Sequence, residues 1–163
     1  MERKNRMIEE KTTLESRTEH TQIVMNSHLN GSGRLFGGQL LEWIDVVAGV
    51  VGRRHSGANV VTAAIDNLQF KAGAHRNDII VLIGRVTHTG RSSMEVRVDT
   101  YVEDCKGMRK PINRAYVVMV AIDENDNPIR VPRLKITSEA ERAEWEGAIK
   151  RVELRKQRRS EGF

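Results

Sequence analysis

The chain has 163 residues, 30 % of them charged and only 4 % aromatic, with a formal net charge of +5. That length fits one domain with an aliphatic core, and no apolar run approaches the roughly 18–20 residues of a membrane span. The single cysteine, Cys105, has no internal partner, and the charged stretch from Met1 to Arg6 has no apolar segment behind it to make a signal peptide, so the expected compartment is the cytoplasm.

The positive excess suits anionic partners: nucleic acid, acidic lipid or a phosphorylated small molecule. Much of it sits at the end, where Arg151, Arg155, Lys156, Arg158 and Arg159 outnumber Glu153 and Glu161. Such a tail reads as a solvated basic helix.

Residues 1–11 are densely charged and read as a flexible lead-in. From Thr12 to Val24 the chain is polar with scattered β-branched residues, and Ile23 and Met25 alternate with Val24 and Asn26 as in a strand end. Gly31, Gly33, Gly37 and Gly38 then crowd a loop that begins at Asn30. A helix is predicted from Gln39 to Arg54. Leu40, Leu41, Ile44, Val46, Val47, Ala48, Val50 and Val51 cover most of its circumference, which places it inside the protein. Asp45 lies in its middle. An unpaired buried carboxylate costs several kcal/mol or more, so this one needs a partner or a task. Arg53, Arg54 and His55 suit the C-terminal end of the dipole as cations, and Ser56-Gly57 supplies the stop.

Asn59 to Phe70 reads as a strand, and Lys71 to Asp78 as a turn-rich connection. The run Ile79-Ile80-Val81-Leu82-Ile83 opens a second strand covered on both faces. Thr89-Gly90-Arg91-Ser92 marks a bend. Met94, Val96, Val98, Thr100 and Val102 alternate with Glu95, Arg97, Asp99, Tyr101 and Glu103, so one face points in and one out. Asp104 to Gly107 is a hairpin connection, and Ile112 to Ile122 is the last strand. Ser138-Glu-Ala-Glu141 is a capping box that opens a helix to about Arg159, either packed by a thin stripe (Trp145, Ile149, Val152) or partly free. Consecutive strands with short connections make an antiparallel sheet, and one apolar helix needs its curved face, so the class is α+β. No internal repeat or second domain is visible.

The ordered set Asn30-x-x-Gly33-x-x-Phe36-Gly37-Gly38, Trp43-Ile-Asp45-Val-Val-Ala-Gly49, Arg54-His55, Val60-Val-Thr-Ala-Ala-Ile-Asp66 and Gly90-Arg-Ser-Ser-Met-Glu-Val96 resembles the hotdog-fold acyl-CoA thioester hydrolases. That family includes bacterial short-chain enzymes and the cytosolic brain-type and acetyl-type mammalian ones. The likeness runs over residues 12–137 and reaches the terminal basic helix, 138–163. It implies a curved sheet wrapped around the central helix, a homodimer that completes the active site, and a trimer of dimers. It also implies acyl-CoA as substrate and no separate cofactor, since coenzyme A is part of that substrate. Asn30 and Asp45, from different subunits, would do the chemistry. Coenzyme A would lie along Thr62, Ala63 and Ala64 and at the bend Arg91, Ser92 and Ser93. Two positions depart from the pattern: Ala64 stands where relatives carry serine, and Asn77 where glycine is usual before Asp78.

Thioester hydrolysis needs an activated water, an oxyanion site and a leaving thiolate; with a thiol pKa of about 8.5 the thiolate leaves without a strong acid. Asp45 would be the base for that water, or a direct nucleophile. Asn30 would orient water or carbonyl, although Asn-Gly is also a common turn pair. Gly37 and Gly38 open the helix, where unpaired backbone N–H groups suit an oxyanion. Arg91, Ser92 and Ser93 suit a phosphate or pantetheine amide, although on the residues alone an exposed arginine on a bulge is the better reading of Arg91. His20, His28, His75 and His88 lack metal-ligand spacing, so no metal is expected. Cys105 reads as a bystander and Trp43 as core or interface.

Three competing functions remain. A hotdog dehydratase or hydratase resembles a histidine paired with the helix carboxylate, which Asp45 lacks in sequence. An acyl-CoA-sensing module of a transcription regulator needs a DNA-binding segment, for which residues 1–11 are too short. A nucleic-acid-binding protein is disfavoured by the low aromatic content. Neither nucleic acid nor membrane is an expected partner.

Overall fold

The computed structural model of the protein describes residues 9–163. In chain order the elements are β1 (Glu10–Thr12), α1 (Thr13–Ser16), β2 (Thr18–Ile23), α2 (Gly37–Ser56), β3 (Asn59–Phe70), β4 (Ile79–Thr89), β5 (Ser93–Glu103), β6 (Arg109–Ile122), β7 (Arg133–Lys135) and α3 (Glu139–Glu161). Five strands form one antiparallel sheet in the order β2-β4-β5-β6-β3. It curls around α2, as expected of the hotdog arrangement.

Period two explains the wrap. Ile80, Leu82 and Val86 of β4, Met94, Val96 and Val98 of β5, and Ala115, Val117, Met119 and Ala121 of β6 are buried on one face. Against them α2 sets Leu40, Ile44, Val47, Ala48 and Val51, spaced three and four apart. Gly84 sits at the closest approach. A Cβ there would lie 2.7 Å from Val47 Cγ1 and 2.9 Å from Val51 Cγ2. Neither valine has a flexible end to yield, so only glycine allows the helix to nest this closely.

Helix α2 starts two residues before the expected Gln39 and runs past Arg54 to a left-handed C-cap at Gly57. Its circumference is not fully covered. The chain's own sheet stops at edge strand β3, and Val46 remains 56 % exposed and Val61 46 % exposed. An apolar helix that its own subunit covers incompletely needs another surface.

The N-terminal expectation changes. Residues 1–8 lie outside the described residues, but Glu10–Thr12 pair in parallel with Arg133–Lys135, two short segments absent from the predicted strands. Strand β2 ends at Ile23 instead of continuing through Met25, whose N–H donates to His28 Nδ1 at 3.0 Å. His55 joins these parts. Its Nε2 lies 3.1 Å from the Pro132 carbonyl oxygen and its Nδ1 3.4 Å from Ser16 Oγ. A carbonyl can only accept, so Nε2 carries the proton and Nδ1 accepts from the serine. Burial pushes the His55 pKa below the ordinary histidine value, against the opposing effect of the Pro132 bond. His55 is therefore a neutral clamp, not the helix-end cation expected.

Helix α3 corrects the solvated-tail expectation. Its arginines reach onto the outer face of the sheet. Arg151 binds Glu95 through Nε at 3.0 Å and through its terminal nitrogen at 2.7 Å, and Glu95 is 2 % exposed. Thr87 Oγ1 donates to the same carboxylate at 2.8 Å. Arg155 binds Asp66 at 2.6 Å, and Arg97 binds Glu144 at 2.7 Å. The Arg151 guanidinium also lies 3.6 Å from the Tyr116 ring centre. Trp145 packs on His88 with ring centres 4.2 Å apart, and Ala148 is fully buried. Below the helix, Asp99 is clasped by Arg85, Arg97 and Arg114. Burial alone would raise the Asp99 pKa, but the Arg97 and Arg114 bonds outweigh it and hold the carboxyl below its ordinary range. Among the described residues no helix is long and apolar enough to cross a membrane.

Candidate active site

The uncovered stripe of α2 carries the carboxylate. Asp45, Gly49 and Arg53 recur every four residues and so share one helix face, and they open onto a cleft of about 310 Å³ that also contains Val46, Val60, Thr62 and Met119. Asp45 is half-buried. Thr62 Oγ1 donates to its Oδ1 at 2.6 Å, and the same hydroxyl lies 3.6 Å from Met119 Sδ. The cross-strand register makes this contact: Thr62 pairs with Met119, which faces inward. One carboxylate oxygen is thus held, and the aspartate is fixed at the mouth of a cleft beside the edge strand.

Asn30 lies elsewhere. It lines a second cleft, of about 380 Å³, with Arg34, Gly37, Leu40, Phe70 and Lys71. Its Oδ1 accepts the backbone N–H groups of Ser32 at 2.9 Å and Arg34 at 3.2 Å. The turn role that Asn-Gly suggests is therefore present, and it orients the side chain while using only its oxygen. Within one chain Asn30 and Asp45 line separate clefts.

Gly37 and Gly38 open α2, as expected, and form the start of its first turn. No side chain caps this N-terminus and no acidic residue stands in its first turn, so its amides and the positive dipole end are unneutralised. The Phe36 ring occupies the space a Cβ on Gly38 would need, at 2.5 Å. Phe36 and Phe70 are 55 % and 53 % exposed, and both flank this glycine pair.

Of the residues expected to touch coenzyme A, Thr62, Ala63 and Ala64 lie together on the edge strand, with a register shift between Thr62 and Ala64. Arg91, Ser92 and Ser93 form the β4–β5 turn, closed by Gly90 N–H to the Ser93 carbonyl at 2.8 Å. Ser93 is level with Val120, and Val120 with Val61. The turn therefore sits at the same end of the sheet as Thr62, two strands over. Asn77, the departure from glycine, has φ of 69°, a left-handed conformation that asparagine tolerates nearly as glycine does. Sequence reasoning missed Arg53, Arg34 and Phe70 as lining residues; the four-residue spacing from Asp45 through Gly49 to Arg53 was the signal for the first. Among the described residues no cluster of three or more metal-ligating side chains is present.

A curled sheet wrapped around an apolar helix, with a tethered carboxylate at its open edge, defines the class of hotdog proteins that work on thioesters. The comparisons with known proteins agree. Residues 32–108 match the family model described as the Thioesterase superfamily. The chain is 34 % identical over 146 residues to an uncharacterized acyl-CoA thioester hydrolase of Bacillus subtilis, covering 89 % of this chain and 85 % of that one. It superimposes on an apo-hexameric acyl-CoA thioesterase with a TM-score of 0.89 and 38 % identity, over 93 % of this chain and 97 % of the other. An acyl-CoA hydrolase from Staphylococcus aureus, solved with butyryl coenzyme A and coenzyme A, gives a TM-score of 0.88 at 32 % identity, over 94 % of each chain. That enzyme has also been solved as variants with alanine in place of one asparagine, one aspartate and one threonine. The chain belongs to the hotdog-fold acyl-CoA thioester hydrolase family.

Proposed function

We propose that this protein hydrolyses acyl-CoA to a carboxylic acid and coenzyme A, with Asp45 as the base. The Thr62–Asp45 hydrogen bond at the mouth of the α2 cleft carries the proposal. It fixes one carboxylate oxygen and leaves the other to take a proton from water. The water oxygen bonds to the thioester carbonyl carbon as that proton passes to Asp45. The resulting oxyanion is met by the Gly37 and Gly38 amides at the uncapped helix end of a second copy, because Gly37 lines the Asn30 cleft and not the Asp45 one. The C–S bond then breaks, and the thiolate leaves and collects the proton.

Asn30 is assigned to the same reaction from a second copy of the chain. Three observations support this. Asn30 and Asp45 line separate clefts of one subunit. Val46, Val61, Phe36 and Phe70 leave an apolar surface beside both clefts. The three alanine positions of the Staphylococcus aureus enzyme are separated by 15 and 17 residues, as are Asn30, Asp45 and Thr62 here. A dimer, extended to a hexamer as in the hexameric relative, is the expected assembly.

Release of free thiol from acetyl-, butyryl- and palmitoyl-CoA tests the activity. Asp45→Ala is expected to lose at least about two orders of magnitude in turnover, and wild-type turnover in that variant rules Asp45 out as the base. Subunit sharing has its own test. Two inactive variants, Asp45→Ala and Asn30→Ala, are mixed and reassembled. One intact site forms in each mixed dimer, so roughly a quarter of wild-type activity returns. No recovery in demonstrably mixed dimers places both residues of a site in one chain.

A further inference from the structure

The Asn30 cleft, of about 380 Å³, is in the size range of small-ligand sites. Leu35, Leu40, Phe70, Ala72 and Ile112 give it an apolar wall. Leu40 and Ile112 are each 2 % exposed, so that wall continues into the core. Among the described residues its charged lining consists of Arg34 and Lys71, both exposed, and includes no carboxylate.

The backbone holds both cations in place. Arg34 N–H donates to Asn30 Oδ1 at 3.2 Å, and Asn30 N–H donates to the Arg34 carbonyl at 2.8 Å. Lys71 N–H donates to the Ile112 carbonyl at 3.0 Å. The Arg34 side chain lies over Gly73, where a Cβ would sit 3.5 Å from its Cδ and 3.7 Å from a terminal nitrogen. Arginines of the outer sheet face have carboxylate partners: Arg97 and Arg114 share Asp99, and Arg151 holds Glu95. The side chains of Arg34 and Lys71 form no ion pair and no hydrogen bond among the described residues. Two unpaired cations at the mouth of an apolar cleft that holds no acid match a short apolar chain ending in an anion.

Gly37 fixes which part of the substrate this is. Its amide is assigned to the oxyanion, it lines the same cleft, and a Cβ on it would lie 3.4 Å from the Phe70 ring. The thioester carbonyl therefore stands at the edge of the cleft. Coenzyme A is expected on the opposite side of that bond, along Thr62 to Ala64 of the subunit that supplies Asp45. The acyl group is what remains to fill the cleft.

We propose that this cleft selects acyl groups ending in a carboxylate, with Arg34 and Lys71 as the specificity-determining residues and short ω-carboxyacyl-CoA thioesters as the preferred substrates. This rests on the acyl-CoA hydrolase function and narrows its substrate class. A five-carbon acyl chain puts its distal carboxyl carbon roughly 5 Å from the thioester carbonyl carbon, at about 1.2 Å per bond of an extended chain. Lys71 adjoins Phe70, and Arg34 precedes Gly37 by three residues, so both charges are carried by segments next to the carbonyl site. Without them the same apolar wall would reject a carboxylate, because an unpaired charge is costly to take from water.

Glutaryl-CoA and valeryl-CoA have acyl chains of equal length and differ only at the end, carboxylate against methyl. Wild type is expected to favour glutaryl-CoA in kcat/KM by about fivefold or more at low salt, the strength of a part-exposed ion pair, and to lose most of that preference at high salt. Arg34→Gln/Lys71→Gln is expected to turn the preference over to valeryl-CoA. Arg34→Lys keeps the charge and retains the preference; a loss there as large as in the glutamine variant overturns selection by charge. Both substrates carry the same coenzyme A, so their ratio cancels any contact of the cations with phosphate. The ratio is also independent of the fraction of folded enzyme.

Wild type that hydrolyses valeryl-CoA as well as or better than glutaryl-CoA overturns the proposal. So does a glutamine variant whose ratio matches wild type, since equal losses on both substrates assign the cations to coenzyme A or to Asp45 of the second copy. If neither thioester releases thiol, the hydrolase function fails on its own, and the same two ligands are compared by calorimetric titration. Tighter binding of glutaryl-CoA to wild type upholds the cleft, and equal or weaker binding overturns it.

Discussion

Replacing Thr62 by valine keeps nearly the same shape and deletes the hydroxyl that reaches Asp45 Oδ1 at 2.6 Å. A hydrogen bond to a charged group contributes about 1.5–3 kcal/mol, which corresponds to roughly tenfold to a hundredfold or more in rate if the bond positions the base. Thr62 is exposed and Asp45 half-buried in the single chain, so water partly replaces the lost donor and the expectation lies near tenfold. A second copy covering Val46 and Val61 would exclude that water and move the loss towards a hundredfold. The assay is thiol release from butyryl-CoA over a range of concentrations. A residue acting through Asp45 lowers kcat and leaves KM nearly as it was; one that merely holds coenzyme A raises KM. The resemblance implies that Thr62 lies along coenzyme A; under the proposed mechanism its hydrogen bond to Asp45 supports a positioning role for the carboxylate as well. A Thr62→Val enzyme with wild-type kcat and a raised KM would refute the positioning role.

Three further outcomes concern stability. Gly84→Ala forces a methyl group against Val47 and Val51 and is expected to cost about 1–3 kcal/mol by urea unfolding; a cost near zero means that α2 and β4 are less closely nested. Arg151→Met strands the buried Glu95 carboxylate, a change that typically costs about 3–5 kcal/mol. Arg155, at 3.5 Å, offers partial compensation and places the effect at the lower end, and adding Glu95→Met should restore most of it. If Arg151→Met alone unfolds at the wild-type urea midpoint, α3 is not docked through this pair.

The last outcome is pH dependence. His55 has a folded pKa below its unfolded value of about 6.5. The unfolded chain therefore binds the proton first as pH falls. The His55 contribution is complete above about pH 6.5 and is lost progressively as pH drops from there through the folded pKa. His88, also shifted down by burial, acts in the same direction. The urea midpoint should decline between pH 7 and 5, and His55→Gln should remove part of the slope; an undiminished slope shows that other groups produce it.

The sequence determined the elements whose patterns are local. Alternation located β5, the consecutive apolar run from Ile79 to Ile83 located β4, the turn signals between them bounded β3 and β6, and the apolar run from Leu40 to Val51 marked α2 as interior. The glycine loop, Asp45 and the Thr62 segment were legible as one set through the family resemblance. What the sequence did not reveal depends on partners far along the chain. Glu95 looks solvent-facing in a period-two strand, and Arg151 looks like one more cation on a polar helix. Only the docking of α3 brings them within 2.7 Å, burying Glu95 and half-burying Arg151. His55 looked like a helix-end cation until Pro132 and Ser16 enclosed it. Likewise, Asp45 received its threonine from the cross-strand register. Periodicity fixes which way a side chain points along its own element; which charge it meets there is decided by packing between elements, because desolvation and pairing act through space and leave no period in the sequence.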